Sequence, residues 1–263
     1  MDDATPSAGR ALYADQRSQR MLQALREQGR LDVNQVAADL GVTIETVRKD
    51  LIRLERQGLL RRVYGGAVPI EHLAYEPAVS ARTEFSAEKA RIARAALACV
   101  PAHGSVLIDA GSTTAQLAEI FPGDRELTVY TNTLPLALTL LTRPQLTVFT
   151  LGGRLRSRTM AEVDDWAARA LAEINVDVAF LGTNGISLDR GLTTPDPAEA
   201  AIKRLMLAAA ERRVLLADHS KVGAVSGSRH AGLDDIDLFI TDDGLPDEQL
   251  AGLQAAGLTV ERV

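Results

Sequence analysis

Short polar segments follow several apolar, strand-like runs in the larger, C-terminal part of this chain. The first segment is Asp109-Ala110-Gly111-Ser112-Thr113-Thr114, which leads directly into a helical pattern. Backbone N–H groups at a helix start, together with Ser and Thr hydroxyls, favour an anion such as a phosphate. The other segments are Thr131-Asn132-Thr133, Leu151-Gly152-Gly153-Arg154, Gly182-Thr183-Asn184-Gly185 and Asp218-His219-Ser220-Lys221.

These segments predict a binding site for a phosphorylated sugar or polyol. Ligands bind off the carboxyl ends of the strands in open parallel sheets, so we expect the segments to converge on one rim. Arg154 and Lys221 would bind phosphate, and Asp109 would bind hydroxyls. Lys203 could face the rim or be an ordinary surface lysine. The predicted effector-binding residues are Asp109, Gly111, Ser112, Thr113, Thr114, Asn132, Gly152, Gly153, Arg154, Asn184, Gly185, Lys203 and Lys221.

A second candidate for chemistry is the segment from Val42 to Leu51. Thr43 stands where an N-cap would, and the apolar residues that follow it fall on one helical face. The outward residues include Arg48 and Lys49, so the helix could lie along phosphates and point into a DNA groove. An ordinary amphipathic surface helix would show the same pattern. The apolar face consists of Ile44, Val47, Leu51 and Leu54.

The flanking sequence favours the DNA-binding interpretation. Helical patterns over 16–28 and 33–40 precede this segment, and Gly41 provides the tight turn of a helix-turn-helix. The stretch 59–68 contains Arg61, Arg62 and a Gly-Gly pair, which is typical of a wing that contacts phosphate or the minor groove. A solvated pair of charges is the alternative for these arginines.

Charge is distributed unevenly along the chain. Residues 16–68 contain ten Lys and Arg against six Asp and Glu, a net of +4, whereas the whole chain carries −6, so the remainder carries −10. A small basic module on an acidic body is typical of a nucleic-acid reader carried by another domain.

Composition excludes several classes of protein. No apolar run is long enough to span a membrane, and the N-terminus lacks the pattern of a signal peptide. Cys99 is the single cysteine, which favours a reduced, cytoplasmic compartment and a core role for its side chain. We predict no metal site and no cofactor, because no cluster of His and Cys exists. His103 and His230 are expected in surface loops.

Alternation of strands and helices after residue 86 predicts a mostly parallel α/β sheet covered on both faces. The expected domains are a disordered tail (1–15), a winged helix-turn-helix (16–68), a linker (69–86) and an effector-binding and oligomerisation domain (87–263). Strands are expected at 105–110, 127–132, 145–151, 176–181, 213–218, 237–242 and 258–263. Helices are expected at 86–100, 113–121, 134–141, 161–174, 198–211 and 246–256.

The most specific motifs are Val42-Thr43, Thr46-Val47-Arg48-Lys49-Asp50-Leu51, Gly58-Leu59-Leu60-Arg61-Arg62, Gly65-Gly66-Ala67, Gly111-Ser112-Thr113-Thr114, Asn184-Gly185-Ile186 and Asp218-His219-Ser220-Lys221. Over nearly the whole chain they resemble the DeoR family of bacterial transcriptional regulators. The resemblance implies a winged helix-turn-helix joined to a domain related to ribose-5-phosphate isomerase, with a sugar phosphate as inducer.

The leading hypothesis is a repressor of a carbohydrate-utilisation operon that binds double-stranded operator DNA as a homo-oligomer (dimer or tetramer) and is not an enzyme. Thr43, Glu45, Thr46 and Arg48 would face bases, and Lys49, Arg53, Arg61, Arg62 and Tyr64 would face phosphates. One alternative is a sugar-phosphate isomerase with a fused DNA module, which would use a carboxylate base and a cation. Another is a transcriptional activator, because operator position is not encoded in the protein.

Overall fold

A computed structural model describes residues 14–28, 30–56, 59–63, 65–68 and 76–263, which divide into two compact units between Pro77 and Ala78. The predicted tail lies outside the described residues up to residue 13, and the first helix begins at Ala14. The predicted linker, 69–86, lies outside them up to residue 75. Its residues from Ala78 onward are part of the second unit.

Within the described part of the first unit, three helices and three short strands form, and capping residues set the ends of α2. The elements are α1 (Ala14–Gln28), β1 (Leu31–Asp32), α2 (Val33–Leu40), α3 (Ile44–Arg56), β2 (Arg61–Val63) and β3 (Gly66–Val68). Asp32 caps α2 by accepting hydrogen bonds from the N–H groups of Asn34 (2.8 Å) and Gln35 (3.1 Å). Gly41 ends it at φ 62°, a left-handed conformation that glycine adopts without strain. The predicted helix-turn-helix is confirmed.

The core of the first unit consists of apolar residues from all three helices and from the small sheet: Met21, Leu25, Leu31, Val33, Val36, Ala37, Val47, Leu51, Leu54, Leu60 and Ala67. Ile44, which the sequence pattern placed on the buried face of α3, is instead 40% exposed. Its position at the first turn of α3 lies beyond the packed part of that face.

The predicted wing is the antiparallel hairpin of β2 and β3, and β3 also pairs with β1, a strand that the sequence did not indicate. Gly66 lies opposite Asp32, and a Cβ there would come within 1.8 Å of the carbonyl oxygen of Leu31. Only glycine therefore permits the hairpin to approach β1 so closely.

The second unit is built on a seven-stranded parallel sheet with the order β15-β14-β12-β9-β4-β5-β6. Its strands are β4 (Gly104–Ile108), β5 (Leu127–Thr131), β6 (Leu146–Thr150), β9 (Val176–Leu181), β12 (Ala210–Leu216), β14 (Leu238–Thr241) and β15 (Val260–Arg262). Its helices are α4 (Ser86–Ala96), α5 (Ser112–Glu119), α6 (Leu134–Leu140), α7 (Asp165–Ala172), α8 (Pro197–Ala208) and α9 (Asp247–Ala255). The predicted α/β class is confirmed.

Helices cover both faces of this sheet because alternate strand residues point to opposite sides. In β4, Val106 and Ile108 join the apolar core under α4, α5 and α6, whereas Leu107 joins the core under α7, α8 and α9. From β4 the chain moves outward to β5 and β6, and then returns to β9 on the other side of β4. The gap between β4 and β9 is thus the topological switch point, where open α/β sheets bind ligands.

Two smaller sheets were not predicted. One is antiparallel and consists of β10 (Gly185–Ser187), β11 (Gly191–Thr194) and β13 (Ser228–Ala231), and the other pairs β7 (Arg154–Leu155) with β8 (Glu162–Val163). The helix expected at 161–174 therefore begins only at Asp165, because the residues before Asp164 pair in β8. Strands this short have no readable period, so the sequence could not indicate them.

A buried carboxylate joins the first and third helices of the first unit. Arg17 Nε donates to Asp50 Oδ2 at 2.8 Å, and Arg53 Nη2 lies 3.5 Å from Asp50 Oδ1. Arg53 Nη2 also donates to Ser18 Oγ at 2.6 Å. Asp50 stands on the apolar face of α3, so its charge is tolerated there only because two arginines surround it.

We expect Asp50→Ala to lower the free energy of unfolding of the first unit by about 2–3 kcal/mol, because it removes the buried carboxylate that binds Arg17 and Arg53. Hydrogen exchange of the full chain should accelerate in α1 and α3 and stay unchanged in β4 and β9. Asp39→Ala removes an exposed carboxylate from α2 and serves as the control. Equal exchange rates in the two variants would contradict this role of Asp50.

Candidate functional site

The start of α3 presents a small set of polar side chains. Thr43 Oγ1 accepts a hydrogen bond from Thr46 N–H at 3.2 Å, and the two hydroxyls lie 2.9 Å apart. Thr43 is thus the N-cap that the sequence indicated. Glu45, Arg48 and Lys49 are exposed on the same helix.

The cations of α3 and of the wing divide into two groups. Within the described residues, Arg48 and Lys49 form no ion pair or side-chain hydrogen bond, so both are available to an external anion. Arg53 is bound to Asp50 and Ser18 instead. Arg62 is bound to Glu55, with Arg62 Nε donating to Glu55 Oε2 at 2.7 Å.

One arginine of the wing, Arg62, is engaged in an ion pair with Glu55. The hydrogen bonds from Arg62 lower the pKa of Glu55, so their ion pair holds the wing to the end of α3. Arg61 lies in β2, where its backbone pairs with Val68. Tyr64 lies outside the described residues. Phosphate contacts by Arg53, Arg61, Arg62 and Tyr64 stay predictions.

In the second unit, a buried ion pair occupies the switch point. Lys203, on α8, donates to Asp109 at the end of β4, and also to the carbonyl oxygen of Gly182 at 2.9 Å. The N–H of Gly182 donates to Asp109 Oδ2 at 3.1 Å. Both side chains of the pair are buried, and Lys203 is therefore not an ordinary surface lysine.

Asn132, at the end of β5, completes this cluster. Its Oδ1 accepts from the N–H of Ala110 at 2.8 Å, and its Nδ2 lies 3.5 Å from Asp109 Oδ1. Burial raises the pKa of Asp109, while the charge and hydrogen bond of Lys203 and the N–H of Gly182 act in the opposite direction. The structure therefore brings together Asp109, Asn132 and Lys203.

A second cluster of charges adjoins α8 and was missed. Glu199 is buried and accepts hydrogen bonds from Arg156 and Thr159, and Arg156 Nη2 also lies 3.1 Å from Asp196 Oδ2. Arg154, which was predicted to bind phosphate, is exposed and bound to Asp164, with its Nε 2.6 Å from Asp164 Oδ2. The sequence signal was the Arg-Leu-Arg-Ser-Arg run, which does not reveal which arginine turns inward.

The two glycines after β6 form a tight turn beside Asn132. The N–H of Gly152 donates to Glu162 Oε2 at 2.7 Å, and the N–H of Glu162 donates to the carbonyl oxygen of Asn132 at 2.6 Å. Gly153 has φ 109°, and a Cβ there would lie 2.5 Å from the carbonyl oxygen of Val163. These glycines shape the rim and contribute no side chain.

The segment after β4 starts a helix, as the sequence indicated. Gly111 precedes the first turn of α5 and provides no side-chain cap, while Thr114 Oγ1 donates to the carbonyl oxygen of Gly111 at 3.1 Å. Thr113 and Thr114 are buried, whereas Ser112 is half-buried. Ser112 is thus the hydroxyl of this segment that a ligand reaches most easily.

The remaining predicted residues are Asn184, Gly185 and Lys221, and each has its own surroundings. Asn184 Oδ1 accepts from Thr194 Oγ1 at 3.0 Å, and Gly185 begins β10, where a Cβ would lie 2.4 Å from the carbonyl oxygen of Ala224. Lys221 ends a 3-10 turn that follows β12 and is half-buried. In the described residues, no hydrogen bond joins these three to Asp109.

Two histidines of the second unit have surroundings that the sequence did not reveal. His219 has a partner from the next strand, since its Nδ1 lies 2.6 Å from Asp242 Oδ2 and its N–H donates to Asp242 Oδ1 at 2.8 Å. Burial alone would raise the pKa of Asp242, but the hydrogen bonds from His219 and Gly244 lower it. His230, expected in a surface loop, is buried, and neither ring nitrogen has a partner among the described residues.

Comparisons with known proteins agree on one family. Residues 84–243 match the DeoR C terminal sensor domain, and residues 17–72 match the DeoR-like helix-turn-helix domain. The chain is 33% identical to a putative aga operon transcriptional repressor of Escherichia coli O157:H7, covering 95% of this chain and 94% of that protein. It is 36% identical to the HTH-type transcriptional regulator GlpR of Haloferax volcanii, covering 93% and 96%.

Solved structures show a more distant likeness in fold. Ribose 5-phosphate isomerase A from Neisseria gonorrhoeae aligns with a TM-score of 0.40 at 18% identity, covering 54% of this chain and 56% of that one. No helix in the described part of the chain has the length and apolar character that a membrane crossing requires.

The buried imidazole of His230 makes a pH dependence testable. Burial lowers its pKa well below the usual range, and the cations of Lys203 and Arg204 add to the effect. As pH falls below about 6.5, the unfolded chain takes up a proton that the folded chain refuses, so acid destabilises the fold. The expected slope is at most about 1.4 kcal/mol per pH unit.

Unfolding in urea, followed by Trp166 emission, measures this slope between about pH 7.5 and pH 5.5. Trp166 is the single tryptophan and lies in the second unit. His230→Gln should flatten the slope, whereas His103→Gln, which alters an exposed histidine, should not. An unchanged slope in His230→Gln would rule out the buried imidazole as its source.

Proposed function

Because the chain belongs to the DeoR family of helix-turn-helix transcriptional regulators, we propose that it represses a carbohydrate-utilisation operon and releases its operator when a phosphorylated sugar or polyol binds the second unit. The observation that carries the ligand half of this proposal is the Lys203–Asp109 pair at the switch point. The DNA half rests on the unpaired cations of α3.

The arrangement of α3 supports binding in the major groove. Thr43 fixes the helix start, so the first turn and the exposed Arg48 project from a rigid element. Arg48 can bind a guanine edge through two donors, whereas Lys49 is a point charge that suits a phosphate. One module of this size buries too little surface for a unique genomic site, which favours a homo-oligomer on the operator.

The chemistry of the rim favours a ligand with hydroxyls and an anionic group. Asp109 and Asn132 offer oxygens and an amide that can exchange partners with hydroxyls. The first turn of α5 has backbone N–H groups and the hydroxyl of Ser112, which together favour a phosphate. The Asp109–Asn132 pair and the first turn of α5 both adjoin the end of β4, so one small molecule could contact both.

The carboxylates of the rim support a regulator over an isomerase. Proton transfer between carbons needs a carboxylate that is free to accept a proton. Asp109 already accepts hydrogen bonds from Lys203 and the N–H of Gly182, and Glu199 accepts from Arg156 and Thr159. Carboxylates engaged by cations and donors in this way are poor general bases, although their remaining lone pairs can still accept hydrogen bonds from a ligand. We expect the regulator to act in the cytoplasm, where the DNA lies.

The segment that enters the second unit offers a route from ligand to DNA. The N–H of Val79 donates to the carbonyl oxygen of Arg158 at 2.8 Å, in the loop that also contains Arg156. The ring of Phe85 packs edge-on against His219, with centroids 4.8 Å apart. A ligand that rearranges either loop would therefore displace the chain that continues toward the DNA-binding unit. Such coupling requires the ligand to prefer one arrangement over the other.

Replacement of Arg48 by Ala should lower discrimination between operator and scrambled DNA by about 1–3 kcal/mol, the value of one bidentate base contact. Fluorescence anisotropy with a duplex that the wild-type protein selects from a random pool measures both affinities. Lys49→Ala should weaken binding to both duplexes equally. It should also reduce by about one the slope of the logarithm of the affinity against the logarithm of the salt concentration. Arg20→Ala removes an exposed charge from α1 as the control. Retained discrimination in Arg48→Ala would contradict the assignment of α3.

Replacement of Ser112 by Asp should abolish relief of operator binding by sugar phosphates, because the new carboxylate repels phosphate at the start of α5. A carboxylate at a helix start also stabilises the helix, so operator binding without ligand should persist. Asn175→Asp adds a similar charge at the opposite end of the sheet and should respond like the wild-type protein. A normal response in Ser112→Asp would exclude this phosphate site.

A further inference from the structure

One stretch of the second unit is nearly devoid of charge. From Leu127 to Gly153 the only charged residue is Arg143, although charged residues make up 24% of the whole chain. This stretch forms β5, α6 and β6, which together make one edge of the parallel sheet. A solvated edge would be expected to carry charges at the average rate.

Arg143 does not give this edge an available charge either. Its guanidinium donates to the backbone carbonyl oxygens of Glu119 at 2.7 Å, Phe121 at 2.8 Å and Thr139 at 2.9 Å. The arginine therefore fixes the end of α6 to α5, and the surface beyond it stays apolar.

Helix α6 is apolar on both of its sides. Leu136, Ala137 and Leu140 are buried on the side of α6 that faces both α5 and the sheet. Leu134, Leu138 and Leu141 follow at spacings of four and three on the opposite side, where Leu138 is 68% and Leu141 60% exposed. A helix that is apolar all round is normally covered on all sides, so the outer stripe indicates a missing contact.

Strand β6 lies beside this stripe and ends the sheet. It pairs with β5, and its other edge meets no strand of the described chain. Phe149 is exposed on the face of the sheet opposite α6, where it stacks on Tyr130 with ring centroids 5.2 Å apart. The opposite edge strand, β15, contains Glu261 and Arg262, the kind of charged residues that prevent edge pairing. Strand β6 has no such protection.

We propose that α6 and β6 form the interface with a second copy of this chain. A two-fold axis perpendicular to the sheet would pair β6 antiparallel with its copy and bring the two outer stripes of α6 together. The proposal rests on the homo-oligomer of the proposed function and names its surface.

A second copy is the occupant that the surface favours. A stretch without free charges provides no electrostatic complement for a charged partner, but it is complementary to itself. Strand β6 gives about 17 Å of ladder and α6 about 10 Å of apolar stripe. Edge pairing and helix packing together supply the apolar centre of a standard interface, which removes about 800 Å² from each partner.

The first test is the mass of the full-length protein in solution. The double variant Leu138→Lys, Leu141→Lys should halve the mass measured by light scattering, with dissociation at least about 100-fold easier than in the wild type. Leu188→Lys, which alters a residue 58% exposed outside this stretch, should keep the wild-type mass. Circular dichroism should show that both variants are folded.

Each outcome decides the proposal. An unchanged mass in the folded double variant would overturn the interface and leave the homo-oligomer intact. A monomeric wild type at every concentration would overturn both the interface and the homo-oligomer, but not ligand binding by the rim.

Cross-linking provides an independent readout that does not depend on weakening the fold. Cys99 is the only cysteine and is buried, so an introduced cysteine reacts selectively. Leu138→Cys with a short bis-maleimide should give a covalent dimer, whereas Leu188→Cys should stay monomeric on a denaturing gel. Absence of the Leu138→Cys dimer would contradict the proposed pairing.

Discussion

The buried ion pair between Lys203 and Asp109 is the constraint on which the second unit depends. It joins α8 to the end of β4 at the switch point, and the backbone of Gly182 ties β9 to the same two charges. Removing one partner of such a pair leaves an uncompensated buried charge, which strongly destabilises a fold. A ligand that binds here must therefore offer polar groups to these charges. Any displacement of the ion pair would act on α8, β4 and β9 together.

The charged residues of the first unit fall into two groups, those in ion pairs and those that are exposed. Asp50 holds Arg17 and Arg53, and Glu55 holds Arg62, so these charges stabilise the unit. Arg48 and Lys49 are left exposed, without partners among the described residues. A DNA-binding helix needs both groups of charges. The ion pairs hold the helix to its own unit, and the exposed cations can contact DNA. A dimer formed through α6 and β6 would contain two copies of α3.

Much of this arrangement follows from local rules that the sequence displays. Asp32, Gly41 and Thr43 cap and separate the helices as their types require, and the apolar runs of the central strands predicted the parallel sheet. Asp109 and Asn132 converge because the ends of neighbouring strands meet, and Lys203 reaches Asp109 from α8. Arg156 turns inward to Glu199 and Arg154 stays at the surface because of the hairpin of β7 and β8, whose strands have two residues each. The burial of His230 depends on β13, which packs on α8. These contacts arise between distant parts of the chain, so spacing along the sequence does not reveal them.

In the proposed function, the phosphorylated ligand and the operator favour different arrangements of the same protein. The thermodynamic linkage between the two binding equilibria provides the most direct test. Calorimetric titration of the sugar phosphate that most raises the melting temperature should be performed on the free protein and on the protein saturated with operator DNA. The ligand should bind the DNA complex more weakly than the free protein, by the same factor by which the ligand weakens operator binding. Equal ligand affinity for the free and the DNA-bound protein would contradict it.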